Sequence, residues 1–268
     1  MTADGAPTEL ELVVRPDAAA AARHAAAWLA ERAREAVAAR GRFTLAVSGG
    51  STPGPAFAAL AEEDVPWEHV HLFQVDERVA PAGHPDRNLV GLREALLDRV
   101  PLPEANLHPL PVDAVSEGLE DVAGEPDPGT RTYVAFSRWL GKALRKAVTE
   151  AERELVAAAG EPPVLDVVQL GLGGDGHTAS LVPGDPALEV TDGAVAATGR
   201  YAGRHRLTLT YPTLDAARHR LWLATGAGKA DMVARLVAGD TTIPAGRVSR
   251  AGAVLVVDAP AAAGATAG

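Results

Sequence analysis

The chain has 268 residues, of which 47% are hydrophobic and 22% are charged, a composition typical of a globular protein with an ordinary core. It has no cysteine, which excludes disulfides, thiolate nucleophiles, thiolate metal sites and iron–sulfur clusters. A net charge of −10 argues against nucleic-acid binding, and no apolar run is long enough to span a membrane. We therefore expect a soluble cytoplasmic protein with no nucleic-acid or membrane partner.

Strand-like apolar segments alternate with helical segments along the chain. In chain order, we predict a strand at 10–14, a helix at 17–40 capped by an aspartate, a strand at 43–47, a helix at 53–62, a strand at 70–75 and a helix at 88–99. A long helix at 133–158 follows, then strands at 164–170, 194–197, 207–210 and 221–224, a helix at 229–238 and a last strand at 253–257. This alternation predicts an α/β fold with a mainly parallel sheet and helices on both faces.

The domain organisation follows from this single series of elements, which predicts one domain over residues 9–260. Residues 1–8 and 261–268 are rich in small and polar residues and are expected to be disordered tails. The segment 123–129, with two prolines and two glycines, is the best candidate for a linker. Because too little chain precedes it to complete a separate sheet, we interpret it as a surface loop.

Unusual residues follow several of the predicted strands, and in open parallel sheets ligands bind beyond the carboxyl ends of strands. After the strand at 43–47 come Ser48, Gly49, Gly50, Ser51 and Thr52. The glycines allow a tight turn, and the amides and hydroxyls could bind a phosphate at the start of the next helix. A plain strand-to-helix turn with a serine or threonine cap is the alternative. The segment is not a P-loop, because no Gly-Lys-Ser/Thr follows it.

A second strand end carries Asp76, Glu77 and Arg78, directly after the strand at 70–75. Two carboxylates and a guanidinium could hold hydroxyls and an anionic group. A surface ion pair is the alternative, and it is the commoner fate of such a triplet.

The third strand end is a glycine-rich segment at 171–178 that contains Asp175 and His177. Its glycines match the G-x-G-x-x-G dinucleotide fingerprint, but that fingerprint needs an uninterrupted helix after the third glycine. A proline–glycine pair at 183–184 interrupts the chain, so we reject dinucleotide binding. Instead, His177 could accept a proton near neutral pH while Asp175 orients its ring. The alternative is a structural histidine.

A fourth set of candidates is cationic. Arg206 opens the strand at 207–210, and Lys229, one of only three lysines, follows a short glycine-containing loop. With the 48–52 loop, these two side chains could form a phosphate clamp, although other arginines near Arg206 favour a solvated charge as its alternative. His69 and His71 could share one strand face, but no third ligand is evident nearby, and we predict no required metal.

Together these motifs resemble those of the 6-phosphogluconolactonase family, over about residues 46–258. The shared segments are the loop at 48–53, Asp-Glu-Arg at 76–78, His-Pro-Asp at 84–86 with Asn88, the glycine-rich run at 171–181 with Pro-Gly at 183–184, Arg-Leu-Thr-Leu-Thr at 206–210, Thr-Gly at 225–226 and Lys-Ala at 229–230. The Asp-Gly-His-Thr-Ala-Ser run at 175–180 is the most specific of them. Three features depart from the family pattern: Arg87 stands where serine is common, an aliphatic run rather than an aromatic residue precedes Asp258, and the segment 123–129 resembles an insertion.

The resemblance implies a Rossmann-like three-layer fold and cofactor-free hydrolysis of 6-phospho-D-glucono-1,5-lactone in the pentose phosphate pathway, with His177 as general base. The predicted catalytic residues are His177, Asp175 and Arg78. The predicted substrate- and phosphate-binding residues are Ser48, Gly49, Gly50, Ser51, Thr52, Asp76, Arg206 and Lys229. The expected partner is a small sugar-phosphate lactone, and the expected state is a monomer or a weak homodimer.

Two alternatives are weighed against this prediction. The first is a glucosamine-6-phosphate deaminase, whose corresponding run carries an acidic residue where this chain has Val182. The second is a sugar-phosphate-sensing regulator, which would carry an N-terminal DNA-binding helical module. The first predicted strand begins by about residue 10, which leaves no room for such a module.

Overall fold

The computed structural model describes residues 9–50, 52–120 and 130–265, so the predicted loop at 123–129 lies outside the described residues. The strands are β1 (Glu11–Arg15), β2 (Phe43–Val47), β3 (Val70–Gln74), β4 (Asp76–Arg78), β5 (Leu107–His108), β6 (Val167–Leu170), β7 (Val195–Ala197), β8 (Arg206–Leu209), β9 (His219–Ala224) and β10 (Ala253–Asp258). The α-helices are α1 (Ala18–Arg40), α2 (Gly54–Leu60), α3 (Asn88–Ala95), α4 (Asp113–Glu120), α5 (Arg131–Ala159), α6 (Tyr211–Ala216) and α7 (Ala230–Val237).

Seven strands form one sheet in the order β1-β10-β9-β6-β2-β3-β5, in which every neighbouring pair is parallel. The chain leaves β2 towards β3 and β5 on one side, and β6 then joins β2 on its other side. Such a reversal of strand order opens a crevice beyond the carboxyl ends of the two strands. The loops that follow β2 and β6 therefore lie beside each other.

Helices cover both faces of this sheet, as the sequence predicts. In β9, Leu221 and Leu223 belong to a core that includes the alanine face of α1 and the apolar side chains of α2 and α3. Trp222 and Ala224 belong to a second core with α5, α6 and α7. Because successive side chains of a strand point to opposite faces, a continuous apolar strand supplies both cores. The predicted three-layer α/β class is confirmed.

The second, antiparallel sheet is not predicted by the sequence pattern. It has the order β4-β8-β7, so the segments expected in a mainly parallel sheet at 194–197 and 207–210 instead form a hairpin. Apolar strands of three or four residues carry no signal that distinguishes the two kinds of pairing. The pairing of β4 with β8 sets Asp76 opposite Thr208 and Arg78 opposite Arg206. Two motifs far apart in the sequence thus become neighbours.

The ends of the elements agree with the prediction at some places and differ at others. Asp17 caps α1, as predicted, and its Oδ1 accepts a hydrogen bond of 2.7 Å from the Ala20 backbone N–H. The sequence does not predict α4, α6 or β5. The packed chain also continues past residue 260, because Ala261 is fully buried and its N–H donates to Asp258 Oδ1 at 2.9 Å.

Candidate active site

A cleft of about 350 Å³ lies beyond the carboxyl ends of β2, β6 and β9. The predicted site residues that line it are Ser48, Gly49, Gly50, Thr52, Asp76, Arg78, His177, Arg206 and Lys229. Of the other two, Asp175 contacts His177 directly, and Ser51 lies outside the described residues. The topology thus brings together motifs that are spread over more than half of the chain.

Ser48 joins the two central loops of the cleft. Its hydroxyl donates to the Gln169 carbonyl at 3.1 Å and accepts from the Gly171 N–H at 3.3 Å. These two hydrogen bonds hold the ends of β2 and β6 together. Because a hydroxyl has one donor, the predicted contact of Ser48 with phosphate would require it to give up its hydrogen bond to the Gln169 carbonyl. Gly49 is required by packing, because a side-chain carbon at this position would overlap Asn88.

His177 and Asp175 form a hydrogen-bonded pair at the cleft. The imidazole Nδ1 lies 2.5 Å from Asp175 Oδ1, and the backbone N–H of His177 donates to the same oxygen at 3.2 Å. Burial alone would raise the pKa of Asp175, but the hydrogen bonds and charge of His177 outweigh it and hold the pKa below its ordinary value. Asp175 is therefore an ionised acceptor at neutral pH. A side-chain carbon at Gly173 would overlap the imidazole ring, so this glycine makes room for the histidine.

The glycine-rich loop does not start a helix. Gly176 has φ +81°, and a hydrogen bond from its N–H to the Gly173 carbonyl closes a turn. The next helical element is a short 3₁₀ helix at Pro186–Glu189. The loop therefore lacks the helix on which the dinucleotide fingerprint places its pyrophosphate.

Tyr201 is a residue of the site that the sequence does not reveal. Its hydroxyl donates to Asp175 Oδ2 at 3.2 Å, and its ring centroid lies 5.6 Å from that of His177. The Arg206 guanidinium stacks on the tyrosine ring at 5.0 Å. The residue lies in an arginine-rich segment between two short strands, and no motif or spacing singles it out.

A buried chain of polar groups joins β4 and β8 to the loop after β6 and to the start of α3. Ser180 Oγ donates to Asp76 Oδ2 at 2.6 Å, and Arg206 Nη1 donates to Ser180 Oγ at 3.3 Å. Asn88 Nδ2 donates to the other Asp76 oxygen at 3.2 Å. Burial raises the pKa of Asp76 above its ordinary value, and the Ser180 hydrogen bond and the Arg206 charge oppose that rise. These contacts fix the direction of the Arg206 side chain.

The two remaining cations of the cleft are each anchored by a backbone carbonyl. Arg78 Nη1 donates to the Asp86 carbonyl at 2.7 Å, and Lys229 Nζ donates to the Leu172 carbonyl at 2.6 Å. An ammonium group has three donors, so this bond leaves Lys229 able to bind an anion as well. The loop before Lys229 is held by Asp258, whose two oxygens accept from the Gly226 N–H at 2.9 and 3.0 Å.

Glu77 is one of the two carboxylates considered for binding hydroxyls, but it stabilises the start of α3 instead. It is fully buried and accepts hydrogen bonds from the Asn88 and Leu89 N–H groups at the start of α3, at 2.8 and 2.9 Å. Arg87 Nε lies 3.3 Å from its Oε2, and Arg87 Nη1 donates to Asp113 at 2.7 Å. The departure from the family pattern at Arg87 therefore supplies the counter-charge of a buried carboxylate.

Metal-binding groups are sparse in the described part of the chain, where no three histidine, aspartate or glutamate side chains cluster. His69 belongs to a 3₁₀ helix rather than to the strand, so it does not share a strand face with His71 as expected. His71 Nδ1 instead lies 3.1 Å from His108 Nε2 of β5. The expectation that no metal is required stays a prediction.

Comparison with known proteins places the chain in one family. Residues 16–257 match the family described as glucosamine-6-phosphate isomerases/6-phosphogluconolactonase, and the chain belongs to that family. It is 40% identical over 202 residues to the 6-phosphogluconolactonase of Synechocystis sp.. The aligned residues cover 74% of this chain and 72% of the relative. It is 35% identical over 237 residues to the 6-phosphogluconolactonase of Mycobacterium tuberculosis, with 85% and 87% of the two chains covered.

The fold of the chain is also similar to those of solved structures. The 6-phosphogluconolactonase of Trypanosoma cruzi superposes with a TM-score of 0.78 and 26% identity over 97% of this chain and 98% of its own. A monomeric glucosamine-6-phosphate deaminase superposes with a TM-score of 0.70, and its 16% identity over 95% of this chain and 100% of its own shows a shared fold alone. The predicted family is confirmed, as is the prediction that the protein is an enzyme of the 6-phosphogluconolactonase kind.

Proposed function

We propose that the protein hydrolyses 6-phospho-D-glucono-1,5-lactone to 6-phospho-D-gluconate in the oxidative pentose phosphate pathway, with His177 as the general base. The observation that carries this proposal is the 2.5 Å contact between His177 and Asp175 at a cleft that also presents Arg78, Arg206 and Lys229. One cleft thus offers a base for water and cations for a phosphate. The names of the relatives give the substrate class.

The first step is the attack of water on the lactone carbonyl. A lactone carbonyl is electrophilic, so water can serve as the nucleophile without a covalent intermediate on the enzyme. His177 takes a proton from the attacking water through the ring nitrogen that does not face Asp175. The ionised Asp175 carboxylate holds the ring and stabilises the imidazolium that forms.

The second step opens the ring. The bond between the former carbonyl carbon and the ring oxygen breaks, and that oxygen leaves as a hydroxyl. The proton it needs is the one that His177 took from water, so the imidazole returns to its starting state. The product is a sugar acid, and the reaction consumes one water molecule with no other reactant.

Negative charge develops on the carbonyl oxygen during the attack, and a cation or backbone N–H must stabilise it. We assign this role to Arg78, because its guanidinium lines the cleft and is fixed by the Asp86 carbonyl. Asp76 has the complementary role of accepting hydrogen bonds from sugar hydroxyls, since a carboxylate has room for about four donors and Asp76 already accepts two from the Ser180 and Asn88 side chains.

The phosphate binds at the cationic side of the cleft. We assign it to Arg206, Lys229 and the loop at 48–52, where Gly50 has φ +110° and lines the cleft. The α-helix after this loop has seven residues, so the cations rather than a helix dipole supply most of the attraction. Binding energy from this remote group orients the lactone over His177.

The test is a coupled assay on the purified protein. Glucose-6-phosphate dehydrogenase supplies the lactone, 6-phosphogluconate dehydrogenase reports its opening, and the spontaneous rate without protein is subtracted. Acceleration in this assay supports the proposal, together with a much lower kcat/KM for unphosphorylated gluconolactone when the opening of each lactone is followed by proton release. Equal kcat/KM for both lactones contradicts the phosphate site.

The same assay tests the alternative of a sugar-phosphate-sensing regulator. No acceleration combined with a melting temperature raised by 6-phosphogluconate would favour that function. Val182, which is buried, stands where the deaminase run has an acidic residue, so we expect no deamination of glucosamine-6-phosphate.

The location of the protein and its oligomeric state are the remaining parts of the sequence prediction. No helix within the described residues is long and apolar enough to cross a membrane. A cytoplasmic location and a monomeric or weakly dimeric state remain predictions, for which cell fractionation and light scattering are the measurements.

A further inference from the structure

Tyr201 lies on a tight hairpin turn between β7 and β8. Its backbone and that of Arg204 exchange two hydrogen bonds, of 3.0 and 3.2 Å. Ala202 and Gly203 between them have φ +49° and +82°, the backbone of a two-residue hairpin turn. The Arg204 guanidinium donates to Asp86 Oδ2 at 3.1 Å, so the turn is fastened to the segment that also holds Arg78. The tyrosine is therefore presented from a fixed backbone.

The Tyr201 hydroxyl contacts the side of Asp175 that His177 does not use. His177 Nδ1 holds Oδ1, and the phenol donates to Oδ2 at 3.2 Å. The Asp175 side chain is 39% exposed, so packing alone does not prevent its carboxylate from rotating. Burial and the neighbouring Asp175 charge raise the pKa of Tyr201, which keeps the phenol a donor at neutral pH.

The Tyr201 ring contacts a second group of the site, the guanidinium of Arg206. The Arg206 guanidinium lies 5.0 Å over the ring, and Arg206 Nη2 donates to the Tyr201 carbonyl at 3.4 Å. Arg206 is 5% exposed, and its Nε has no hydrogen-bond partner within the described residues. The aromatic ring thus supports this buried cation together with Ser180 and Asp76.

We propose that Tyr201 is a positioning residue for the hydrolysis proposed above, on which this inference rests. Its hydroxyl fixes Asp175, and through it the ring of His177, while its ring fixes Arg206. The two halves of the side chain therefore serve different kinetic steps. The hydroxyl supports the proton transfer, and the ring supports the binding of the phosphate.

Two substitutions separate these contributions. Tyr201→Phe keeps the ring, so we expect kcat to fall by about three- to tenfold, the value of one ordinary hydrogen bond, with KM little changed. Tyr201→Leu removes the ring as well, so KM should also rise by about three- to tenfold. Calorimetric binding of 6-phosphogluconate should weaken in Tyr201→Leu and not in Tyr201→Phe.

The matched control is Tyr211→Phe. Tyr211 is buried, and its hydroxyl donates to the Pro244 carbonyl at 2.9 Å, so it reports what loss of a structural phenol does to the enzyme. We expect a lower melting temperature and unchanged kcat and KM. The same pattern in Tyr201→Phe would overturn the positioning role.

A double-mutant cycle with Asp175→Ala tests whether the hydroxyl acts through Asp175. If it does, adding Tyr201→Phe to Asp175→Ala causes little further loss of kcat, because Asp175→Ala already removes the oxygen that accepts from the hydroxyl. An equal loss of kcat in both backgrounds overturns the assignment. The two proposals fail differently: a wild-type protein that does not accelerate lactone opening overturns the proposed function, whereas an active wild type with a fully active Tyr201→Phe overturns this inference alone.

Discussion

The two ends of the parallel sheet both hold a buried aspartate near arginines, and they differ in how completely it is paired. At the amino ends of β2, β6 and β9, Asp166 Oδ1 accepts from Arg40 at 2.7 and 3.1 Å and lies 3.4 Å from Arg218. Its Oδ2 accepts from the Thr44 N–H and hydroxyl at 2.8 and 3.0 Å. A carboxylate has about four acceptor sites, so Asp166 is saturated by the protein.

At the carboxyl ends the polar groups keep capacity for a ligand. Asp76 accepts two side-chain hydrogen bonds, and the buried Asn88 Oδ1 and Arg206 Nε have no partner among the described residues. Buried polar atoms nearly always have a hydrogen-bond partner, so a ligand or a water molecule in the cleft can complete these two. The comparison indicates that charge and burial alone do not mark a functional site. A better marker is hydrogen-bonding capacity that the protein leaves open at a cleft.

The largest expected effect is on catalysis at the carboxyl end. His177→Ala removes the general base, so kcat should fall by about 10²–10⁴-fold while KM changes little. Steady-state kinetics in the coupled assay measures both. His69→Ala, on a 3₁₀ helix outside the cleft, is the matched control and should keep full activity. A His177→Ala variant with nearly full turnover would remove this histidine from the mechanism.

At the amino end the expected effect is on stability instead. Asp166→Ala leaves the buried Thr44 N–H without its acceptor, and the free energy of unfolding should fall by about 1–3 kcal/mol. Chemical denaturation measures this loss, and kcat and KM of the folded variant should match the wild type. Asp166→Asn retains one acceptor oxygen, so its free energy of unfolding should fall by less. A selective loss of kcat in Asp166→Ala would break the distinction between the two ends.

Substrate binding at the carboxyl end gives a smaller effect. Lys229→Ala removes a cation of the proposed phosphate site, so KM for the phosphorylated lactone should rise by about tenfold, the equivalent of one charge-assisted contact. The preference for phosphorylated over unphosphorylated lactone should fall by the same factor. Lys142→Ala on α5, where the side chain lies outside the cleft, is the control and should change neither value. An unchanged preference in Lys229→Ala would exclude this lysine from the phosphate site.

The smallest effect concerns pH and a histidine pair on the outer strands. Burial lowers the pKa of His71 and of His108 below 6.5, and the nearby charge of His108 lowers the pKa of His71 further. Between the folded and unfolded pKa values the unfolded chain binds more protons, so stability is full above about pH 6.5 and declines as pH falls through that range. Thermal melting at pH 7.5 and 5.5 should show this decline.

Replacement of both histidines by asparagine isolates their contribution. Between pH 7.5 and pH 5.5, the melting temperature of the variant should fall by less than that of the wild type. An identical decline in both proteins would assign the effect to other groups.

The sequence predicts most of the parallel sheet because those strands are strongly apolar and bounded by clear turns. The segment 43–47 matches β2 at both ends, and Asp17 caps α1 as its position indicates. The second sheet is different, because its strands have three or four residues and their pairing depends on partners distant in the sequence. Local periodicity contains no information about such partners.

The site residues also fall into those that the sequence reveals and those that only the packing decides. Glycines, a histidine beside an aspartate and a rare lysine are visible in the sequence, and the cleft brings them together. Glu77 and Asp76 are adjacent and chemically alike, yet Glu77 faces the start of α3 while Asp76 lines the cleft. Neighbouring residues of a strand point to opposite sides, and only packing decides which side faces the ligand.

The sequence by itself determined the α/β class, the four strand ends that carry polar residues, and the resemblance that gave a family. These depend on local composition and spacing, which a chain carries before it folds. The tertiary structure alone decided that β4 pairs with β8, that Ser48 fastens two loops, and that Tyr201 reaches Asp175. Those contacts join residues that are 26 to 132 positions apart in the chain, and their geometry is set by the packing of whole layers rather than by any local preference.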